Sequence, residues 1–204
     1  MLPTPYRRRL LAALPVLSCW CAVAVLAPGI ARAADAGAAA PPAVQVRVAE
    51  RGDALVIDAD FTVAATPSQC WEVLVDFDNM ERFVAGLKDS RVVRRQGRVL
   101  HVAQQGTTRY GLLSFDYESL REITLVPQRE IRSRGLGGSV RRYQGLTRLI
   151  PAGKGTRIVF HAETEPGVAA PASMSAAFAR DATAGQLDDL RREILRRGKP
   201  VPPR

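Results

Sequence analysis

The chain has 204 residues, of which 47% are hydrophobic, 24% charged and 6% aromatic, a balance that excludes a disordered or collagen-like polymer and leaves room for one folded domain. The formal charge of +9 sits at the two ends: Arg7, Arg8, Arg9 and Arg32 stand among the first 33 positions without an acid, and the last fourteen hold six basic residues against one acidic. Residues 34–190 carry 19 charges of each sign, and a neutral domain has no broad field to attract a phosphate backbone, so nucleic-acid binding is not expected.

The N-terminus reads as an export signal. Arg7-Arg8-Arg9 is a basic leader, and Leu10 to Leu26 is an apolar run interrupted by Pro15 and Ser18. Pro28-Gly29 then breaks the helix, and Ala31-Arg32-Ala33 offers small residues to a signal peptidase. Cleavage after Ala33 is expected to release a periplasmic or secreted protein, by the general secretory route or, given Arg7-Arg8, the twin-arginine route. A retained anchor is the competing reading of the apolar run. Residues 34–43 form an Ala/Pro-rich spacer, 44–197 the folded domain, and 198–204 a disordered tail. Cys19 and Cys21 leave with the signal. The remaining Cys70 can form neither an internal disulfide nor a cysteine metal cluster, and beside Trp71 it reads as a buried thiol.

Val44 to Val48 and Leu55 to Val63 alternate apolar and polar residues around Arg51-Gly52-Asp53, as a hairpin or as one long irregular strand. Thr66-Pro67 starts a short helix, with threonine as N-cap and proline at the first position. Met80, Phe83, Val84 and Leu87 make a second amphipathic segment. The period then changes to two. Strands are expected over 90–95, 99–109, 112–126, 131–136, 140–150 and 156–165, separated by turns such as Gln96-Gly97 and Gly137-Gly138. Residues 171–197 carry the longest helical pattern. Short turns between successive strands force an antiparallel meander, and only the last helix is long enough to cover its concave face.

That order, together with particular residues, resembles a known superfamily. Ala64-Ala65-Thr66-Pro67 through Cys70-Trp71-Glu72-Val73-Leu74-Val75-Asp76-Phe77, then Met80-Glu81-Arg82-Phe83, Gln105-Gly106, Tyr143-Gln144-Gly145, Pro151 and Gly155-Thr156-Arg157 are similar to the START-like, birch-pollen-allergen-like (SRPBCC) proteins, in the polyketide cyclase/dehydrase and coenzyme Q-binding branch. A tryptophan that members often carry after the sixth-strand glycine is replaced by Leu146 and Thr147. The resemblance implies an α+β helix-grip fold, with a curved antiparallel sheet of six to seven strands around a long C-terminal helix. It implies a hydrophobic small molecule or lipid as ligand, or an aromatic or polyketide substrate to be cyclised or dehydrated.

The chemistry available to such a cavity is limited. His101 and His161 stand sixty residues apart on separate strands, and no metal or cofactor motif occurs. Asp76, Asp78 and Glu81 read as capping or solvated groups. Lys88, Arg91, Arg94, Arg95 and Arg98 either solubilise a sheet edge or make a peripheral contact with anionic headgroups. Phe115, Tyr117 and Tyr143 by strand parity, and Met174, Phe178 and Asp181 by helical phase, are expected to line a cavity, with Arg109 at its rim. Asp181 either binds ligand or pairs with a strand arginine. With no evident acid–base dyad, a non-enzymatic periplasmic binder is the preferred reading over a cyclase or a ligand-free interaction domain.

Overall fold

Turn-forming pairs divide the alternating segments into strands wherever the backbone needs a positive φ, as at Gly52 (φ 60°) and Gly97 (φ 57°). The structure, a computed structural model, describes residues 44–110, 113–167 and 176–198. The chain divides into two units, Met1–Ala40 and Pro41–Arg204, and every described residue belongs to the second. The expected signal segment 1–33, the spacer 34–43, Met174 and tail residues 199–204 lie outside the described residues.

The described residues form eight strands: β1 (Gln45–Arg51), β2 (Ala54–Val63), β3 (Leu87–Gln96), β4 (Val99–Tyr110), β5 (Leu113–Val126), β6 (Glu130–Gly138), β7 (Val140–Ala152) and β8 (Gly155–Pro166). Helix α1 (Pro67–Leu74) and a 3₁₀ turn (Phe77–Arg82) separate β2 from β3, and helix α2 (Ala176–Arg197) follows β8. The sheet order is β1-β2-β8-β7-β6-β5-β4-β3. Six to seven strands were expected. The eighth arises because the Gly52 turn makes β1 and β2 a true hairpin, with Val48 opposite Ile57 and Val46 opposite Ala59.

Helix α1 starts as its sequence dictates. Thr66 Oγ1 accepts from Gln69 N at 3.3 Å, and Gln69 Oε1 accepts from Thr66 N at 2.9 Å, a reciprocal capping box beside Pro67. Cys70 and Val73 are fully buried beneath it. The second segment is a 3₁₀ turn rather than a helix, because Asp76 Oδ1 takes Asn79 Nδ2 at 2.7 Å while Asp76 O takes Asn79 N at 3.1 Å. Such local side-chain bonds compete with α-helical geometry. Asp78 Oδ1 then accepts Val92 N at 2.6 Å, satisfying a donor on edge strand β3.

One core joins these layers. Leu187, Leu190 and Ile194 of α2 pack with Val102, Ile123, Leu149 and Ile158 of the concave sheet face and with Val73 of α1. Polar links fasten the same end of α2. Asp189 Oδ2 accepts Ala85 N at 2.7 Å, Arg197 Nη2 reaches Asp76 Oδ2 at 2.8 Å, and the Arg197 guanidinium stands 5.2 Å from the Phe83 ring.

Candidate functional site

Strand pairing fixes which side chains face α2. Leu100 opposes Ile123, Val102 opposes Arg121, Gln104 opposes Ser119, Gly106 opposes Tyr117 and Thr108 opposes Phe115. On the neighbouring strands Ile131 opposes Thr147, Ser133 opposes Gly145, and Tyr143, Gly145, Thr147 and Leu149 oppose Thr164, Ala162, Phe160 and Ile158. This inner face has two halves. Beneath Leu187–Ile194 it is closed, with Leu100, Val102, Ile123 and Ile158 at most 2% exposed. Toward the N-terminal half of α2 the same face is only half-buried at Phe115, Tyr117, Ser119, Ser133, Tyr143, Thr147, Phe160 and Thr164. That half of the helix (Ala176–Gly185) holds mainly small residues, with Phe178 its one large apolar side chain and Arg180 and Asp181 exposed. Phe178 is buried and meets the Phe115 ring edge-on, centroids 6.3 Å apart at 81°.

Two tyrosines are laid across glycines. A Cβ at Gly106 would stand 2.7 Å from Tyr117 Oη and 2.5 Å from Gly86 O, and one at Gly145 would stand 2.7 Å from Tyr143 Oη and 2.6 Å from Ser133 Oγ. Each missing side chain leaves the facing ring a place along the sheet floor. Burial raises the pKa of Tyr117, partly offset by the charge of Arg121, so its phenol stays a proton donor at neutral pH.

Arg121 enters this half from β5. The β5–β6 register shifts between Leu120 and Arg121, and a bulge of this kind re-aims the side chain that follows it. Opposite Arg121 on β6 is Gly135, whose Cβ would lie 3.2 Å from Tyr143 Cβ; its absence leaves space at that crossing. The guanidinium carbon stands 5.7 Å from the Tyr143 ring centroid. Arg121 Nη2 donates to Gln104 Oε1, and Gln104 Nε2 donates to Ser90 Oγ at 2.9 Å and to Met80 Sδ at 3.6 Å. Gln104 and Ser90 are each 4% exposed. A polar line Ser90–Gln104–Arg121–Tyr143 thus crosses the inner face, and Arg121 Nε is buried with no hydrogen-bond partner among the described residues.

The residues singled out from sequence divide cleanly. Phe115, Tyr117, Tyr143 and Phe178 stand together on or against the half-buried inner face. Asp181 does not face inward: its side chain is 60% exposed and pairs with Arg180 at 3.0 Å. The helix turns its interior face from Phe178 to Leu187 and Leu190, and Asp181 falls outside that path. Arg109 also points away, because inward residues of β4 are the even-numbered ones, and it is exposed. Arg121, Gln104, Ser90 and Ser133 were not anticipated.

The remaining candidates are structural. Cys70 is fully buried, its Sγ 3.9 Å from Ala65 O, and burial pushes its thiol pKa up, away from the reactive thiolate. His161 Nδ1 lies 2.7 Å from Asp58 Oδ1 and His101 Nε2 3.6 Å from Glu122 Oε2, both on the outer face. Among the described residues no group of three or more His, Cys, Asp or Glu could hold a metal. A cleft of about 330 Å³ opens on the outer face between Val126, Arg132 and Ile150, where Glu130 already pairs with Arg132 and Arg148.

The profile of the family described as polyketide cyclase/dehydrase and lipid transport matches residues 54–194. No curated protein sequence matches the chain. Among solved structures, a protein from Thermus thermophilus is similar at 18% identity and TM-score 0.62, covering 71% of this chain and 99% of its own. The Zhui aromatase/cyclase from a Streptomyces species is similar at 17% identity and TM-score 0.61, covering 72% and 96%. A STAR-related lipid transfer protein fragment from Xanthomonas axonopodis is similar at 15% identity and TM-score 0.57, covering 74% and 91%. At these identities the structures speak to the fold, and the family profile spans most of the folded domain. The chain belongs to the polyketide cyclase/dehydrase and lipid transport family, on a START-like helix-grip fold.

Proposed function

We propose that this protein is exported and binds a hydrophobic small molecule or lipid between the sheet and the N-terminal half of α2. The observation that carries the reading is the divided inner face. Half of it is sealed by Leu187, Leu190 and Ile194; the other half presents half-buried aromatic rings beneath a stretch of mainly small residues. Apolar contact there supplies binding energy at about 25 cal/mol per Å² buried, before association costs. Export is supported by the basic leader, apolar run and Ala31-Arg32-Ala33.

The test is to recover the protein from the periplasmic fraction, sequence its N-terminus, and extract it with organic solvent for mass analysis. A mature chain starting at Ala34 with an apolar compound in stoichiometric amount is the expected result. An uncleaved chain refutes the export half, and a protein that neither carries nor takes up any apolar compound refutes the binding half.

One observation favours a second reading, cyclisation or dehydration of an aromatic or polyketide substrate. Tyr117, held protonated by burial, shares the interior with the Arg121 cation, and a phenol beside a cation suits polarising a ketone. Turnover of a poly-β-ketone substrate that Tyr117→Phe abolishes would move the assignment from carrier to enzyme.

A further inference from the structure

Arg121 says what kind of head the guest carries, an inference that rests on the interior taking an apolar guest at all. The inward face of β4 to β8 is charged in one sense only. The carboxylates of β5 and β8, Asp116, Glu122, Glu163 and Glu165 among them, have outward parity. Several are held there by cations: Glu122 by Arg134 at 3.0 Å, Glu165 by Arg141 at 3.0 Å and Asp116 by Lys88 at 3.0 Å. Among the described residues of β4 to β8, Arg121 is the one basic side chain directed inward, since the bulge between Val140 and Arg142 turns Arg141 out to Glu165 and Asp53, and no carboxylate pairs with Arg121. Its partners are a neutral amide and a π-face, and Nε has none.

A guanidinium is charged at every pH a protein meets, and burying it without a counter-charge is unfavourable. Such a group is retained where something else completes it. Gln104, oriented from behind by Ser90, holds one terminal nitrogen, and the Nε edge of the guanidinium is left without a protein partner among the described residues. That edge matches the two oxygens of a carboxylate, which accept in parallel. A single cation suits a monoanion; a phosphate dianion would call for a second.

We propose that Arg121 seats the carboxylate of an amphiphilic carboxylic acid, whose apolar body lies along Tyr117, Phe115 and Phe178. The experiment compares decanoate with 1-decanol, equal in chain and different in head, by calorimetric titration of the wild-type protein and of Arg121→Gln. The wild type is expected to bind decanoate at least about tenfold more tightly than the alcohol, and Arg121→Gln to lose that preference while keeping its affinity for the alcohol. Equal wild-type affinities overturn the carboxylate seat and leave interior binding standing; failure of both ligands to bind overturns both. The wild-type comparison needs no variant, so it decides even if Arg121→Gln does not fold.

Discussion

At the scale of single residues, the site is made as much by absent side chains as by present ones. Gly106 and Gly145 both admit a tyrosine, yet their surroundings differ. A methyl at Gly145 meets the far ends of Tyr143 and Ser133, which can move; a methyl at Gly106 meets the Gly86 carbonyl, which is also bonded to Thr107 N at 2.7 Å and cannot. Gly145→Ala is therefore expected to lower stability by under about 1 kcal/mol while displacing Tyr143, and Gly106→Ala by about 2 kcal/mol or more. Urea unfolding of the two variants checks this, and equal losses would contradict it. Arg121 was legible in principle, since it shares parity with Tyr117 and Ile123. Ser119 and Arg121 interrupt the apolar alternation of 112–126, so the segment reads equally as one strand or a strand pair and the parity is lost at its middle. Asp181 misled for a related reason: an acid within an apolar helical stripe looks buried, but the stripe passes it by one helical step, and exposed Arg180 holds it outside.

At the scale of elements, α2 does two jobs with its two halves. The C-terminal half carries Leu187, Leu190 and Ile194, and the charges around them fasten it in place. The hydrogen bond from Arg196, joined by that from Arg197, outweighs burial and holds the Glu193 carboxyl at about 2, below its ordinary value of 4.5. A carboxylate depressed on folding stabilises the fold at pH above its unfolded value, and that contribution disappears as pH falls toward the folded one. With the exposed Arg196 screened by solvent, the contribution is about 2 kcal/mol. Glu193→Gln is expected to melt about 4–8 °C lower at pH 7. The gap should narrow as pH falls from about 4.5 toward 2; a gap independent of pH would contradict the assignment. The N-terminal half holds mainly small residues. The periodicity of α2 and the capping of α1 were readable directly from sequence. The 3₁₀ turn was not, because the Asp76–Asn79 bonds that shorten it compete with a pattern that otherwise looks helical.

At the scale of the whole molecule, the sheet sorts charge by face. Outward residues form ion pairs such as Asp60–Arg157, while the inward face keeps apolar and neutral groups around Arg121. The order of elements was legible because short turns dictate a meander, and the pairing of β2 with β8 that brings its ends together follows from where α1 and the 3₁₀ turn carry the chain. The division of the inner face was not legible, since it depends on which half of α2 reaches the sheet. That division is the central claim, and isotope-edited NMR of methyl and backbone groups during titration with an apolar ligand tests it most directly. Saturable shifts are expected at Phe115, Tyr117, Tyr143, Phe160 and Phe178, with outward neighbours such as Asp116 and Gln144 unmoved. Shifts confined to the outer face, or none that saturate, would contradict the account.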